Sequence, residues 1–172
     1  MSSRRVCLVA TVLLLAGLLA GCASGPRYDL DQARMDLTPE AVGKTGQAFV
    51  DEPVVWGGRI IETRPGEDVT EVELLGYPLG RHQVPSHQRA SQGRFLIRTT
   101  GFLEPGDWQT GRLVTVRGNL ERSEEGEVGE AIYRYPVVRA DDLYLWPEET
   151  AARQRPRGSP RVNIGIGVIY SR

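Results

Sequence analysis

Cysteine is almost missing from this chain: Cys7 and Cys22 lie near the N-terminus and none follows. Histidine occurs only at His82 and His87, five residues apart with Pro85 between them. That spacing cannot place both on one helix face as i, i+4 ligands require. No thiol is near them and no acid lies between residues 74 and 103, so they read as a solvated loop, not a metal centre. A basic surplus is also missing. Lys and Arg total 21 against 22 Asp and Glu, a net charge of −1, which gives no support to nucleic-acid binding. After Ala20 no apolar run approaches the ~20 residues of a spanning helix. Nucleophile arrangements are missing as well. Ser86 neighbours His87, but adjacent loop residues do not make a triad, and no G-x-S-x-G elbow occurs. Glu121, Glu124, Glu125, Glu127 and Glu130 crowd one segment without EF-hand spacing and read as a solvated turn. Gly126 and Gly129 lack the strand-to-helix setting of a phosphate loop.

What the chain does have begins at its N-terminus. Arg4-Arg5 precede an apolar run from Val6 to Ala20, followed by Gly21 and Cys22. A charged n-region, a short h-region and a small-residue cleavage site make an export leader over residues 1–21. The h-region is about 15 residues, too short for a membrane anchor. With cysteine next, Leu19-Ala20-Gly21-Cys22 resembles the lipobox of bacterial lipoproteins. The resemblance implies a diacylglyceryl group on the Cys22 sulfur, cleavage before Cys22 and acylation of the new amino group. Three acyl chains at ~0.8 kcal/mol per buried CH2 make such attachment effectively permanent. Ser3-Arg4-Arg5-Val6-Cys7-Leu8 loosely resembles a twin-arginine signal. The usual Phe is missing and the h-region is very apolar, which favours the general secretory route.

Removing the leader leaves 151 of the 172 residues, enough for one domain with its own core. Two arginines leave with it, so 19 basic residues face 22 acidic ones, a charge of −3. Cys7 is lost and Cys22 carries lipid, so no disulfide forms within one mature chain. Residues 22–37 read as a lipidated tether; fully extended, residues 23–37 reach about 50 Å. Thr38-Pro39-Glu40 is a helix start, with Thr as N-cap and Pro at the first position, and Ala41 to Phe49 follows as a short helix. From Pro53 the pattern turns to strands. These are Val54–Glu62, Val69–Leu75 with one solvated face, Arg94–Thr100, Arg112–Leu120, Glu130–Val138 and Asp142–Trp146. Thr63–Asp68 and Glu104-Pro105-Gly106-Asp107 are turns, Ser123–Gly129 is an acidic hairpin tip, and 76–92 is a long loop.

Five to six short strands with little helix predict an all-β fold, a small antiparallel OB-like barrel over residues 38–146. Gly57-Gly58 inside a strong strand marks a bend or bulge; the alternative is close approach of a ligand. The scattered aromatics, Trp56, Phe95, Phe102, Trp108, Tyr133, Tyr135 and Trp146, read as core more than as a stacking face. Residues 147–172 form a Pro- and Arg-bearing linker and a Gly-rich strand. From Val162 to Tyr170 the even positions are apolar and the odd ones mostly Asn and Gly. This is either an extra strand on the protein's own sheet or a strand added to an envelope partner or a second copy.

Several segments then fall into one order. They are Trp56-Gly57-Gly58-Arg59-Ile60-Ile61, Thr70-Glu71-Val72-Glu73-Leu74 leading to Pro78-Leu79, and Gln92-Gly93-Arg94-Phe95. Next come Gly101-Phe102-Leu103-Glu104-Pro105 with Trp108, Val114-Thr115-Val116-Arg117-Gly118, and Tyr133 to Pro136. Over residues 50–146 the chain resembles the Slp family, the starvation-inducible outer-membrane lipoproteins of Gram-negative bacteria. Glu104 stands where Asp is commoner in that family, and Trp108 where Tyr is commoner. The resemblance implies a lipoprotein anchored in the outer membrane, associated with starvation or stress, and brings no catalytic residue and no cofactor beyond the lipid on Cys22. Ala23 follows Cys22 in place of the aspartate that retains lipoproteins in the inner membrane, which agrees with outer-membrane sorting.

The expectation is a non-enzymatic envelope protein that contacts another envelope component through the 81–92 loop or the 162–170 strand. The alternative is a periplasmic small-ligand module using the barrel mouth near Gly57-Gly58 and the 81–92 loop.

Overall fold

The computed structural model describes residues 25–45, 48–148 and 150. The leader, Cys22 and the 162–170 segment lie outside the described residues. A helix α1 (Pro39–Thr45) precedes seven strands. These are β1 (Pro53–Pro65), β2 (Val69–Gly76), β3 (Arg94–Thr100), β4 (Leu113–Leu120), β5 (Glu124–Val128), β6 (Ala131–Tyr135) and β7 (Val137–Leu145). Five of them close a barrel in the order β1-β2-β3-β7-β4, while β5 and β6 form a separate hairpin.

The all-β barrel expected from the sequence is present, with one correction. It is mixed, because β3 and β7 run parallel, Leu96 to Arg98 opposite Val137 to Arg139. β7 returns beside β3 only after β4 and the hairpin, so no local turn signals its direction.

β1 is 13 residues long and serves both sides of the barrel. Pro53–Arg59 pair with β4 and Gly58–Pro65 with β2, so the strand changes partner at Gly58-Arg59. A Cβ on Gly57 would lie 2.5 Å from Leu79 Cδ2 and 2.7 Å from Pro85 Cγ. Leu79 and Pro85 of the 76–92 loop occupy that position, so the glycine serves strand and loop packing. A small cleft of about 210 Å³ remains beside it between Trp56, Gly57, Tyr77 and Leu79.

The inward faces follow from alternation. Val54, Trp56, Ile60, Val72, Leu74, Phe95, Ile97, Val114, Val116, Leu120 and Val138 form one buried cluster. Trp56 stands edge-on to Phe95 at 5.2 Å, and its Nε1 donates to the Leu37 carbonyl at 2.8 Å. Leu37 and Val42 bring α1 onto this core, and Leu103 and Trp108 bring the loop after β3. Thr38 caps α1 as expected, its Oγ1 accepting from the Ala41 amide at 3.2 Å. The helix ends at Thr45, short of Phe49.

Three strand expectations change. The acidic 123–129 stretch is not only a tip: Glu124–Val128 is a strand paired with β6, turning at Gly129, whose φ is +62°. The expected Glu130–Val138 strand is cut at Pro136, which donates no backbone hydrogen bond, and β7 starts at Val137 rather than at Asp142. The outer face of β2 is solvated at Val69 as expected but covered at Glu73, which is buried beneath the hairpin.

Candidate functional surfaces

The segment read as a tether does not stand free where it is described. Residues 25–37 lie along the barrel because they carry apolar and hydrogen-bonding groups the barrel can satisfy. Tyr28 and Leu37 are buried, and the Arg34 amide donates to the Pro53 carbonyl at 2.8 Å. A relay of neutral hydrogen bonds holds the start of the segment. Trp146 Nε1 donates to Thr115 Oγ1 at 2.9 Å, and Thr115 Oγ1 donates to the Gln83 carbonyl at 2.8 Å. The Gln83 side chain then grips the Tyr28 backbone. Its Nε2 donates to the Tyr28 carbonyl at 2.7 Å, and its Oε1 accepts from the Tyr28 amide at 2.9 Å.

This grip explains the shape of the 76–92 loop. Leu79 bridges to Pro85, and Arg81–Gln83 make a short 3-10 turn. His82 and Gln83 have φ of +57° and +62°, positions that cost non-glycine residues about 1–2 kcal/mol each. The relay offsets that strain. Gly25 completes the contact: a Cβ there would lie 2.4 Å from Trp146 Cη2, so the chain runs directly over the indole.

A different chemistry holds the hairpin against β2 and β3. Arg98 sends paired hydrogen bonds to Glu124, at 2.8 and 2.6 Å, and also donates to Glu71 at 2.9 Å. Glu73 accepts from Arg94 Nη1 at 2.7 Å and from the Tyr135 hydroxyl at 3.2 Å. Tyr133 Oη accepts from the Arg94 amide at 2.8 Å. Burial opposes the Glu71 charge, yet the Arg64 and Arg98 guanidiniums outweigh it and hold the carboxyl below its ordinary value of 4.5.

The chemistry-bearing residues of the sequence do not converge. His82 is exposed on the 3-10 turn, and the His87 ring lies 6.4 Å from that of Tyr77. Among the described residues no group of three or more His, Cys, Asp or Glu stands close enough to hold a metal ion. Also among them, no helix is long and apolar enough to cross a membrane. Trp56 and Phe95 are core, as read, but Phe102 is exposed. The sequence reading missed a cleft of about 530 Å³ between residues 27–33 and the outer surfaces of β1, β4 and β7. Its only sequence signal is Arg27-Tyr28-Asp29, an aromatic between two charges.

Fold and surface together define a small OB-like barrel domain carrying its own N-terminal segment on one flank and an ion-paired hairpin on another. The model of the Outer membrane lipoprotein Slp family matches residues 19–170, and the chain belongs to that family of outer-membrane lipoproteins. An uncharacterized protein of Haemophilus influenzae is 31% identical over 134 residues, covering 77% of this chain and 72% of that protein. Outer membrane protein Slp of Escherichia coli is 27% identical over 80% of this chain and 73% of its own. The uncharacterized lipoprotein YeaY of Escherichia coli is 27% identical over 77% and 71%. Among solved structures, Schizosaccharomyces pombe Pot1pC bound to ssDNA aligns at 9% identity over 75% of this chain and 94% of that one. Its TM-score of 0.31 is too low to carry an argument.

Proposed function

We propose that this protein is held in the outer membrane by lipid on Cys22, a diacylglyceryl group on sulfur and an acyl chain on nitrogen. There it acts as a non-enzymatic envelope protein of starvation or stress physiology. The observation that carries the anchor is the leader ending in Leu19-Ala20-Gly21-Cys22, which falls inside the family match beginning at residue 19. The docking of residues 25–37 adds a consequence. Only residues 23 and 24 separate Cys22 from Gly25, so at ~3.5 Å per residue the anchor stands within about 10 Å of the barrel flank near Trp146. The domain is carried close to the bilayer instead of swinging on a 50 Å tether.

Contact with another envelope component would use the 81–92 loop, where Arg81 and Arg89 are exposed and no acid is present. The 162–170 segment, outside the described residues, is the second candidate, for an envelope protein or a second copy. The small-ligand alternative has two observations in its favour, the larger cleft behind Tyr28 and the small one of about 210 Å³ beside Gly57.

The test is Cys22→Ala expressed in the native envelope. The variant should fold, lack acyl mass and leave the outer-membrane fraction. A Cys22→Ala protein that is still acylated and still sediments with outer membrane overturns the proposal.

A further inference from the structure

The cleft behind Tyr28 is built from four segments whose charged side chains, Asp29 apart, make few contacts within the chain. Residues 27–33 form one wall, and β1, Arg117 to Asn119 of β4, and Asp141 and Asp142 of β7 form the rest. A bulge shapes the floor. Arg117 pairs with Asp142 and Gly118 with Ala140, so Asp141 is the extra residue and two successive carboxylates are exposed on the cleft side. Gly118 permits this close approach, because a Cβ there would sit 2.1 Å from the Arg139 carbonyl oxygen.

Arg117 and Asp142 are direct cross-strand neighbours, yet among the described residues neither has an ion-pair partner within 4 Å. Arg27 has none either. On the hairpin flank, by contrast, Arg64, Arg94 and Arg98 all grip carboxylates. Tyr28 is 8% exposed, and its buried hydroxyl faces the Asp142 carboxylate. Burial and then the nearby Asp142 carboxylate push its pKa up to about 12, so it keeps its proton and can donate.

The charges select the ligand. Two arginines favour a phosphate, but Asp29, Asp141 and Asp142 repel a bare anion, and the arginines repel a bare cation. A phosphate ester carrying an ammonium group satisfies both sets. Position names its source. Arg27 is five residues from Cys22, no more than about 18 Å along the chain, which lies within reach of the headgroup layer of the anchoring leaflet. We propose that this cleft binds the phosphoethanolamine headgroup of a membrane lipid, with Arg27 and Arg117 on the phosphate, Asp141 and Asp142 on the ammonium, and the Tyr28 hydroxyl donating to the phosphate. The lipid source rests on the Cys22 anchor; the cleft chemistry does not.

The experiment titrates the full mature lipidated chain, in neutral detergent, with glycerophosphoethanolamine, glycerophosphoglycerol, ethanolamine and inorganic phosphate. Binding is read by 31P line broadening and by the shift in melting temperature. Glycerophosphoethanolamine should bind in roughly the millimolar range, at least about tenfold tighter than the other three. Arg117→Gln and Asp142→Asn should each weaken it about tenfold while leaving the melting temperature of the free protein unchanged. No binding up to roughly 10 mM, or equal binding of inorganic phosphate, overturns the proposal.

The same titration in bilayers assigns the source. In phosphatidylethanolamine the cleft should already be occupied and added headgroup should not bind; in phosphatidylglycerol it should. Equal binding in both overturns the lipid source. The mass of the Cys22 peptide from the same preparation separates the two readings. An acylated chain that binds nothing removes the cleft proposal alone. Binding by an unacylated chain removes the anchor alone.

Discussion

The two flanks of the barrel solve the same packing problem with opposite chemistry. The hairpin is held to β2 and β3 around charged groups, with Arg98 bridging Glu71 and Glu124 and the Tyr135 hydroxyl donating to Glu73, itself paired with Arg94. Residues 25–37 are held to β1, β4 and β7 mainly by neutral groups, the Trp146–Thr115–Gln83–Tyr28 relay, with one ion pair from Arg34 to Glu52 at 3.2 Å, while among the described residues Arg27 and Arg117 have no ion-pair partner. Exposed ion pairs contribute little and weaken with salt; buried neutral hydrogen bonds contribute modestly but are costly to leave half-made. The hairpin flank therefore spends its charges on assembly. The N-terminal flank assembles mostly through neutral hydrogen bonds, with Arg34 paired to Glu52, and leaves Arg27 and Arg117 without ion-pair partners among the described residues.

Changes that break this comparison range from global to slight. Trp56→Ala removes the indole that packs on Phe95 and holds Leu37, so it should destabilise both flanks together by about 3–5 kcal/mol in urea unfolding. Thr115→Val strands the Trp146 Nε1 and the Gln83 carbonyl. It should cost about 1–3 kcal/mol and speed amide exchange in residues 25–37 and 79–90, with residues 124–135 unaffected. Arg98→Gln should do the reverse, loosening residues 124–135 alone at a global cost of no more than about 1 kcal/mol, an effect that shrinks in high salt. Equal loosening of both segments by either variant would erase the distinction between the flanks.

The smallest effect is with pH. Because the Glu71 carboxyl is depressed in the fold, its contribution is complete above its ordinary value of 4.5 and disappears as pH falls through the depressed one. Exchange in the hairpin should therefore quicken only below about pH 4.5, and less so in Glu71→Gln, while residues 25–37 keep their protection.

Much of the barrel was legible because its strands alternate. Phe95 and Ile97, and Val114 and Val116, face the core as their period-2 pattern requires. The hairpin was half legible. Glu124-Glu125-Gly126-Glu127 looks like a turn because its pairing depends on Arg98 and Arg134, which sit far away or across the hairpin. Pro136 did carry a readable break, and reading through it merged β6 with β7. The parallel β3–β7 pairing is non-local and leaves no local trace. Tyr28 and Leu37 were visible as aromatic and aliphatic residues in a polar stretch, and that was the missed sign of docking. Gln83 belongs to no motif, and the segment holding Thr115 shows no partner for it, since their roles come only from contacts made 55 and 32 residues away. The cleft depends on a bulge that the sequence marks only by two consecutive aspartates.

Lipid on Cys22, as proposed, would hold the barrel against the membrane by its N-terminal flank. The most direct measurement places a fluorophore at Arg81→Cys, beside the Gln83 grip, or at Glu130→Cys, at the hairpin turn, in the lipidated protein reconstituted into vesicles bearing a headgroup quencher. The account predicts strong quenching at position 81 and weak quenching at position 130. Equal quenching, or the reverse order, would contradict it.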